Sequence, residues 1–324
     1  MQFNTLKRAA MAALMAGASF GLHSEVLFQD GFESGDLSHV QDGTAWGRYK
    51  KSYVVSDKAL NGDYSLAFDY TGDPDPKKDS WSELRFKLGK PVSDFWMRYD
   101  LFVPENYVHR YDGRPANNKG LVMLWNGEYT NTPLRTSVAH WNSEMIRGQA
   151  VFGDIGDSMI AAEGTRGGRS FGHQWVVPGS DQRIHTILDV GEESPHDPDN
   201  FTDNGKWVTF VVNVRVSDID PNGDGKTGNG AFGVWKCLAP CEFEDFTPDN
   251  ATFYYPNFYA WAPTPEQNHF TDGYILGWAN SGFAVDTKFY LDNVIIANAK
   301  EDVLSGTAQP ASPLPPILRL LGIE

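Results

Sequence analysis

Short runs of β-branched and aromatic residues, each closed by a cluster of Gly, Pro, Asp or Asn, recur from residue 64 to residue 297. They fall at 64–70, 82–88, 95–103, 120–125, 183–190, 207–216, 231–236, 273–278 and 288–297. Such runs read as strands separated by turns. The 324 residues hold 32 Gly and 19 Pro beside 10 Trp, 13 Tyr and 20 Phe, with few stretches rich in Ala, Leu, Glu or Lys. That balance excludes an all-α chain. Many strands with few helix patterns predict an all-β fold, a two-sheet antiparallel β-sandwich. One large domain fits better than two small ones, because single all-β domains of this length are common.

The N-terminus stands apart. Lys7 and Arg8 precede the apolar stretch 9–22, and no acidic residue occurs before Glu25. This is the pattern of a secretory signal peptide, with removal expected near Ser24; an uncleaved short anchor is the alternative. The organisation predicted is therefore a signal peptide over 1–24, a sandwich domain over 25–300 and a flexible tail over 301–324, the folded unit ending near Ala299. No later stretch is long and apolar enough to cross a bilayer, so the expected product is secreted, extracellular or periplasmic. Cysteine usage agrees with export. Cys237 and Cys241, the only two, lie four apart, and an oxidising compartment makes a loop disulfide the natural pairing. Without neighbouring Cys or His they are a poor metal pair.

Charge narrows the partners. Lys and Arg number 27 against 42 Asp and Glu; removing the first 24 residues leaves 25 against 42, a net of −17. Nucleic acid and anionic membrane surfaces are poor partners for such a chain. Residues 77–186, however, hold 14 basic against 12 acidic residues, so the middle of the chain can face an anionic ligand.

Period-2 alternation sorts side chains by face. Leu84, Phe86 and Leu88 oppose Glu83, Arg85 and Lys87; Phe95, Met97, Tyr99, Leu101 and Val103 oppose Trp96, Arg98 and Asp100. In 183–190, Ile184, Leu188 and Val190 oppose Arg183, His185 and Asp189. Three charged, partly aromatic faces can line one open groove; an ordinary solvated outer face is the alternative.

Three segments carry a resemblance. Leu27-Phe28-Gln29-Asp30-Gly31-Phe32-Glu33-Ser34-Gly35-Asp36, Ser82-Glu83-Leu84-Arg85 and Thr287-Lys288-Phe289-Tyr290-Leu291-Asp292-Asn293-Val294 resemble exported jelly-roll proteins of the concanavalin A-like lectin/glucanase superfamily. Within it, Ser-Glu-Leu-Arg resembles the arginine-bearing strand of alginate-lyase-type polysaccharide lyases. Arg183-Ile184-His185 resembles a variant of their Gln-Ile-His strand. The resemblance implies β-elimination across a uronic acid, which needs a group to neutralise the carboxylate, a base and an acid. Arg85 suits the first role, since a guanidinium forks onto a carboxylate. His185, or His140 in its own apparent strand, suits the base. Glu83, Lys87, Trp96, Arg98 and Arg183 are the expected substrate contacts.

The late strand departs from the lyase pattern Tyr-Phe-Lys-Ala-Gly-x-Tyr. It reads Tyr274-Ile275-Leu276-Gly277-Trp278-Ala279-Asn280, with Leu276 in place of the lysine and Asn280 in place of the second tyrosine. Another acid is required, and Tyr259, His140 or Tyr99 are candidates, Tyr99 being on the apolar face of its strand. The expected activity is a secreted polysaccharide lyase cleaving an acidic, uronate-containing polysaccharide. A non-catalytic lectin-like binding protein is the alternative, with Trp96, Trp125, Trp141, Trp175 and Trp261 as stacking candidates. A glycoside hydrolase on the same fold is a further one, although no Glu-x-Asp-x-Glu strand occurs and the nearest acidic cluster, Glu242-Phe243-Glu244-Asp245, reads as a loop.

Calcium has two candidate sites. Asp218, Asp220, Asn222 and Asp224 place oxygens at alternate positions before glycine, as calcium loops do, while a plain Asp/Asn/Gly turn fits equally. The resemblance adds Glu33 and Asp292, which meet where terminal strands pair, around a structural Ca²⁺. No nucleotide loop, zinc spacing or Ser-His-Asp order is visible. The partner expected is thus an extracellular polysaccharide, anionic, met by a monomer.

Overall fold

A computed structural model describes residues 25–107, 119–124, 138–142, 150–153, 203–215, 227–251, 253–258, 269–279 and 282–304. Their strands are, in chain order, β1 (Val26–Asp30), β2 (Val40–Gln41), β3 (Thr44–Lys50), β4 (Ser52–Val55), β5 (Ser65–Tyr70), β6 (Ser80–Val92), β7 (Asp94–Val103) and β8 (Lys119–Leu124). They continue with β9 (Val138–Asn142), β10 (Ala150–Gly153), β11 (Lys206–Arg215), β12 (Thr227–Leu238), β13 (Phe253–Phe258), β14 (Phe270–Ala279) and β15 (Thr287–Ala297), followed by one short helix, α1 (Glu301–Leu304).

They form the two-sheet antiparallel sandwich expected. The first sheet runs β13-β12-β11-β7-β15-β5-β4, with β1 also on β15; the second runs β10-β9-β8-β14-β6-β3-β2. β15 is long enough to take two partners on one edge, β5 along residues 287–291 and β1 along 294–297. The first and last strands of the described chain therefore lie side by side, with β7 on the other edge of β15. Every expected strand run outside 183–190 coincides with an observed strand, and 183–190 lies outside the described residues.

Alternation builds the core. Leu84, Phe86 and Leu88 of β6 meet Phe95, Met97, Tyr99, Leu101 and Val103 of β7 and Val208, Phe210, Val212 and Val214 of β11 in one buried cluster. On β15 the inward set is Phe289 and Leu291, then Val294 and Ile296. The change of parity falls at Asn293, whose φ of 51° accompanies a bulge against β7. A bulge inserts one residue and so resets which side chains point inward.

The other face of the first sheet is covered, which corrects the expectation that it lines an open groove. Trp96, Val211, Trp235, Phe246, Ile295, Ala297 and Val303 form a second buried cluster there. Trp96 and Trp235 stack at 5.7 Å, under Phe246. Covering segments are the loop after β12, closed by the Cys237–Cys241 disulfide, and α1. The folded unit thus continues beyond Ala299 to Leu304, because Val303 is fully buried. Among the described residues no helix is long and apolar enough to cross a membrane.

Candidate functional site

β6 turns Trp81, Glu83, Arg85 and Lys87 away from the core, onto the outer face of the second sheet. The Arg85 side chain is 17% exposed, and its Nε donates to Glu83 Oε1 at 2.5 Å. Glu83 is buried, and its second oxygen accepts from Trp81 Nε1 at 3.0 Å. One carboxylate therefore fixes both an indole and a guanidinium. A guanidinium is a planar fork whose geometry matches a carboxylate.

The neighbouring strand β14 adds Tyr274. It stands directly opposite Arg85 in the register, with the Arg85 Cζ 5.8 Å from its ring centroid, inside cation–π range. Its place depends on a backbone irregularity. Leu276 and Gly277 have φ of 56° and 122°, and a Cβ at Gly277 would lie 2.7 Å from Tyr274 Cε2 and 3.4 Å from Glu83 Oε2. Only glycine lets the tyrosine lie across this strand beside Glu83. From the first sheet the buried Tyr70 hydroxyl reaches the Gly277 carbonyl and the Ser82 carbonyl, each at 2.9 Å, and accepts the Gly277 N–H at 3.2 Å. A hydroxyl has one proton, so it serves one carbonyl at a time. Burial raises the Tyr70 hydroxyl above its ordinary pKa, keeping it a neutral donor.

The register extends the row. Tyr274 pairs with Val122 on β8, Val122 with His140 on β9, and His140 with Val151 on β10. His140 thus occupies the same cross-strand row as Arg85, three strands away, or roughly 14 Å between Cα positions at the usual strand spacing. The sequence missed Tyr274 as a site residue. Its signal was available in the quoted 274–280 segment, but only strand pairing puts it next to Arg85.

The remaining expectations divide sharply. Lys87 is exposed on the same face, two residues beyond Arg85. Trp96 and Arg98 are not part of this surface, because β7 belongs to the other sheet and turns them to its covered outer face. Arg98 is 4% exposed and donates to the carbonyls of Val303 at 3.2 Å, Leu304 at 2.8 Å and Cys241 at 2.6 Å. Its job is to fasten α1 and the disulfide loop to the sheet. Burial makes its proton less tightly held than usual, an effect opposed by Asp100 and Glu242. Tyr99 is fully buried in the main core, stacked on Phe210 at 5.5 Å. Leu276, in the lysine position of the lyase pattern, also joins that core. His185, Arg183, Tyr259, Asp218, Asp220, Asn222, Asp224, Trp125, Trp175 and Trp261 lie outside the described residues, and Trp141 is placed by its backbone alone. In the loop after the disulfide, Asp245 pairs with Lys300 at 2.7 Å, and Glu242 and Glu244 line a cavity of about 900 Å³ with Arg98 and Asp100.

Glu33 and Asp292 do come together. A Cβ at Gly31 would be 4.0 Å from an atom of each. Their oxygens, however, hold backbone: Glu33 accepts from the Asp63 and Tyr64 N–H groups, and Asp292 from those of Leu60, Asn61 and Asn293. All four carboxylate oxygens are engaged, and no group of three His, Cys, Asp or Glu suited to a metal occurs among the described residues. Calcium takes six to eight oxygens. Two carboxylates do not by themselves complete that shell, and the pair acts as a clasp on the 60–64 loop. Burial raises the Asp292 pKa to about 6, the three N–H donors opposing the shift.

No family model matches the chain, and no curated protein matches it. Among solved structures it is similar to an endo-β-1,4-glucuronan lyase from the fungus Trichoderma reesei, at 11% identity and TM-score 0.49, over 89% of this chain and 100% of that one. It is also similar to an alginate lyase in complex with an alginate tetrasaccharide, at 12% identity and TM-score 0.45, over 86% and 96%. A third is lectin I-B4 from Griffonia simplicifolia in its metal-free form, at 11% identity and TM-score 0.35, over 84% and 99%. The two antiparallel sheets with adjacent terminal strands make this a two-sheet antiparallel β-sandwich. What its outer face does is argued from its own residues.

Proposed function

We propose that this is an exported polysaccharide lyase that cleaves a uronate-containing polymer by β-elimination on the outer face of the second sheet. The observation that carries this reading is the Glu83–Arg85–Tyr274 cluster, a fixed, partly exposed cation beside a fully buried phenol. Arg85 takes the substrate carboxylate and stabilises the negative charge that develops when the adjacent C–H is deprotonated. His140, in the same row, is the base, with His185 as a second candidate for that role. The proton leaves the carbon next to the carboxylate, its electron pair forms the C=C bond, and the C–O bond at the following carbon breaks. Tyr274 protonates the departing oxygen, with Tyr259 as a second candidate acid. Glu83 positions Arg85 and does not touch substrate.

Lys87 and Arg183 are proposed contacts for neighbouring uronates, and the protein is taken to act as a monomer. Calcium remains proposed at the loop containing Asp218, Asp220, Asn222 and Asp224 and at Glu33 with Asp292. A fall in Tm on chelation, reversed by calcium, supports it; an unchanged Tm removes it.

The test uses the purified protein on a panel of uronate polymers, following the ultraviolet absorbance of the unsaturated ends that elimination creates. A rise with one polymer, abolished by Arg85→Ala, is the expected result. Full turnover by that variant overturns the assignment. A carbohydrate-binding protein without catalysis is the second reading, favoured by Leu276, which puts a core side chain where the lyase pattern has lysine. It predicts retarded migration in a polymer-containing gel with no rise in absorbance.

A further inference from the structure

Four side chains of β6, Trp81, Glu83, Arg85 and Lys87, form a track on one side of the strand, about 20 Å long at roughly 3.4 Å per residue. Opposite Trp81 on β14 stands Trp278, 38% exposed, with ring centroids 5.5 Å apart and planes at 46°. The Lys50 ammonium lies 4.2 Å from the Trp81 ring centroid, and Lys50 is the cross-strand partner of Glu83. Trp46, Trp96 and Trp235 are buried in core clusters, whereas Trp278 turns a large apolar surface to solvent on the Arg85 face.

Exposing an indole forgoes the stabilisation its burial would bring. A pyranose ring recovers that loss, since its C–H face is apolar and its rim of hydroxyls stays hydrated. The ligand's charge is set by Lys50, whose ammonium sits over Trp81 rather than against a carboxylate. Glu83 also couples this platform to Arg85, holding the Trp81 indole N–H with one oxygen and the Arg85 Nε with the other.

We infer that Trp278, backed by Trp81 and flanked by Lys50, is a stacking subsite for a uronate ring of the same polymer chain that engages Arg85. The inference rests on the lyase reading for its substrate class and on the Trp81–Trp278 geometry for its place. The Trp81 indole and the Arg85 guanidinium meet on the Glu83 carboxylate, and Trp278 adjoins Trp81 on the neighbouring strand, so the ring stacked there is taken as a neighbour of the ring held by Arg85. The subsite therefore selects long chains over short ones and uronates over neutral sugars.

The test compares the wild-type protein with Trp278→Ala, Trp278→Phe and Lys50→Ala, in native gels containing sodium alginate, polyglucuronate or a neutral β-glucan. The same proteins are followed by ultraviolet absorbance on each polymer. Trp278→Ala is expected to bind the anionic polymer roughly five- to tenfold more weakly and to raise KM more than it lowers kcat, while Trp278→Phe keeps most of the affinity. Lys50→Ala weakens only anionic polymers, by an effect that fades with added salt. Thermal unfolding confirms that each variant is folded; if the alanine variant is not, Trp278→Leu, which keeps bulk without an aromatic face, takes its place with the same expected loss of binding.

Undiminished binding by folded Trp278→Ala overturns the subsite, whether or not the wild type releases unsaturated ends. Binding that depends on Trp278 without any unsaturated ends sustains the subsite and removes the lyase reading. A wild type retarded by none of the three polymers overturns both.

Discussion

Tyr274 lies so close over Gly277 that a single added methyl would come within 2.7 Å of its ring. The φ of 122° at Gly277 is itself one that L-residues rarely adopt. Gly277→Ala is therefore expected to cost about 2 kcal/mol of stability and to push Tyr274 away from Arg85. Thermal unfolding reads the first effect and turnover at saturating polymer the second. An alanine variant as stable and active as the wild type would show that Gly277 does not place the tyrosine.

Glu83 sits beneath Arg85 as its counter-ion, so its removal separates positioning from binding. Glu83→Gln removes the charged partner of the Arg85 Nε and loosens the orientation of the guanidinium. The expectation is a kcat lower by about tenfold, with KM for a uronate polymer unchanged or reduced. Steady-state kinetics decide it: a rise in KM with kcat intact would make Glu83 a substrate contact instead.

Arg98 is bonded to three backbone carbonyls on the opposite face. Arg98→Ala should lower stability by about 3 kcal/mol and loosen α1 and the disulfide loop. Amide hydrogen exchange should rise in 239–246 and 300–304, while polymer binding by the folded protein stays at the wild-type level. Lost binding in a folded variant would return Arg98 to the substrate surface.

Asp30 is buried and accepts the Phe32 N–H at 2.7 Å and the Trp46 indole N–H at 2.5 Å. Burial raises its pKa above 3.8, against the lowering effect of these two bonds and of His39. A folded pKa above the unfolded one means that the native state binds the proton more readily. Its contribution is complete below 3.8 and is lost as pH rises through the folded value. Asp30→Asn removes that titration, so the stability difference between wild type and variant should shrink as pH rises above 3.8. Tm measured across the acidic range for both proteins checks this; parallel curves would show that Asp30 does not titrate as described.

Arg85 was legible because period-2 alternation within one strand assigns a face without reference to anything else. The same rule placed Trp96, Arg98 and Asp100 together on one face of β7, as observed. It failed on what lies over them. Whether a polar face meets solvent depends on segments that return from far along the chain, here the disulfide loop and α1. Tyr274 and Trp278 escaped for a related reason: each gains its meaning from the β6 residue across from it, and register between distant strands has no local signature. Glu33 and Asp292 both lie near Gly31, and their oxygens accept from backbone N–H groups of a loop that no terminal motif specifies.

By itself, then, the sequence determined the all-β class, eight of the fifteen strand positions, the faces of the β6 and β7 side chains and the Cys237–Cys241 pair. These follow from turn residues, two-residue periodicity and short loop length, all local properties. Tertiary structure alone decided which charged face remains exposed, which carboxylate partners Arg85, and that an aromatic pair stands beside it. Those outcomes depend on pairing between strands distant in sequence and on the positive-φ backbone at Leu276 and Gly277, which Tyr70 bonds from across the core.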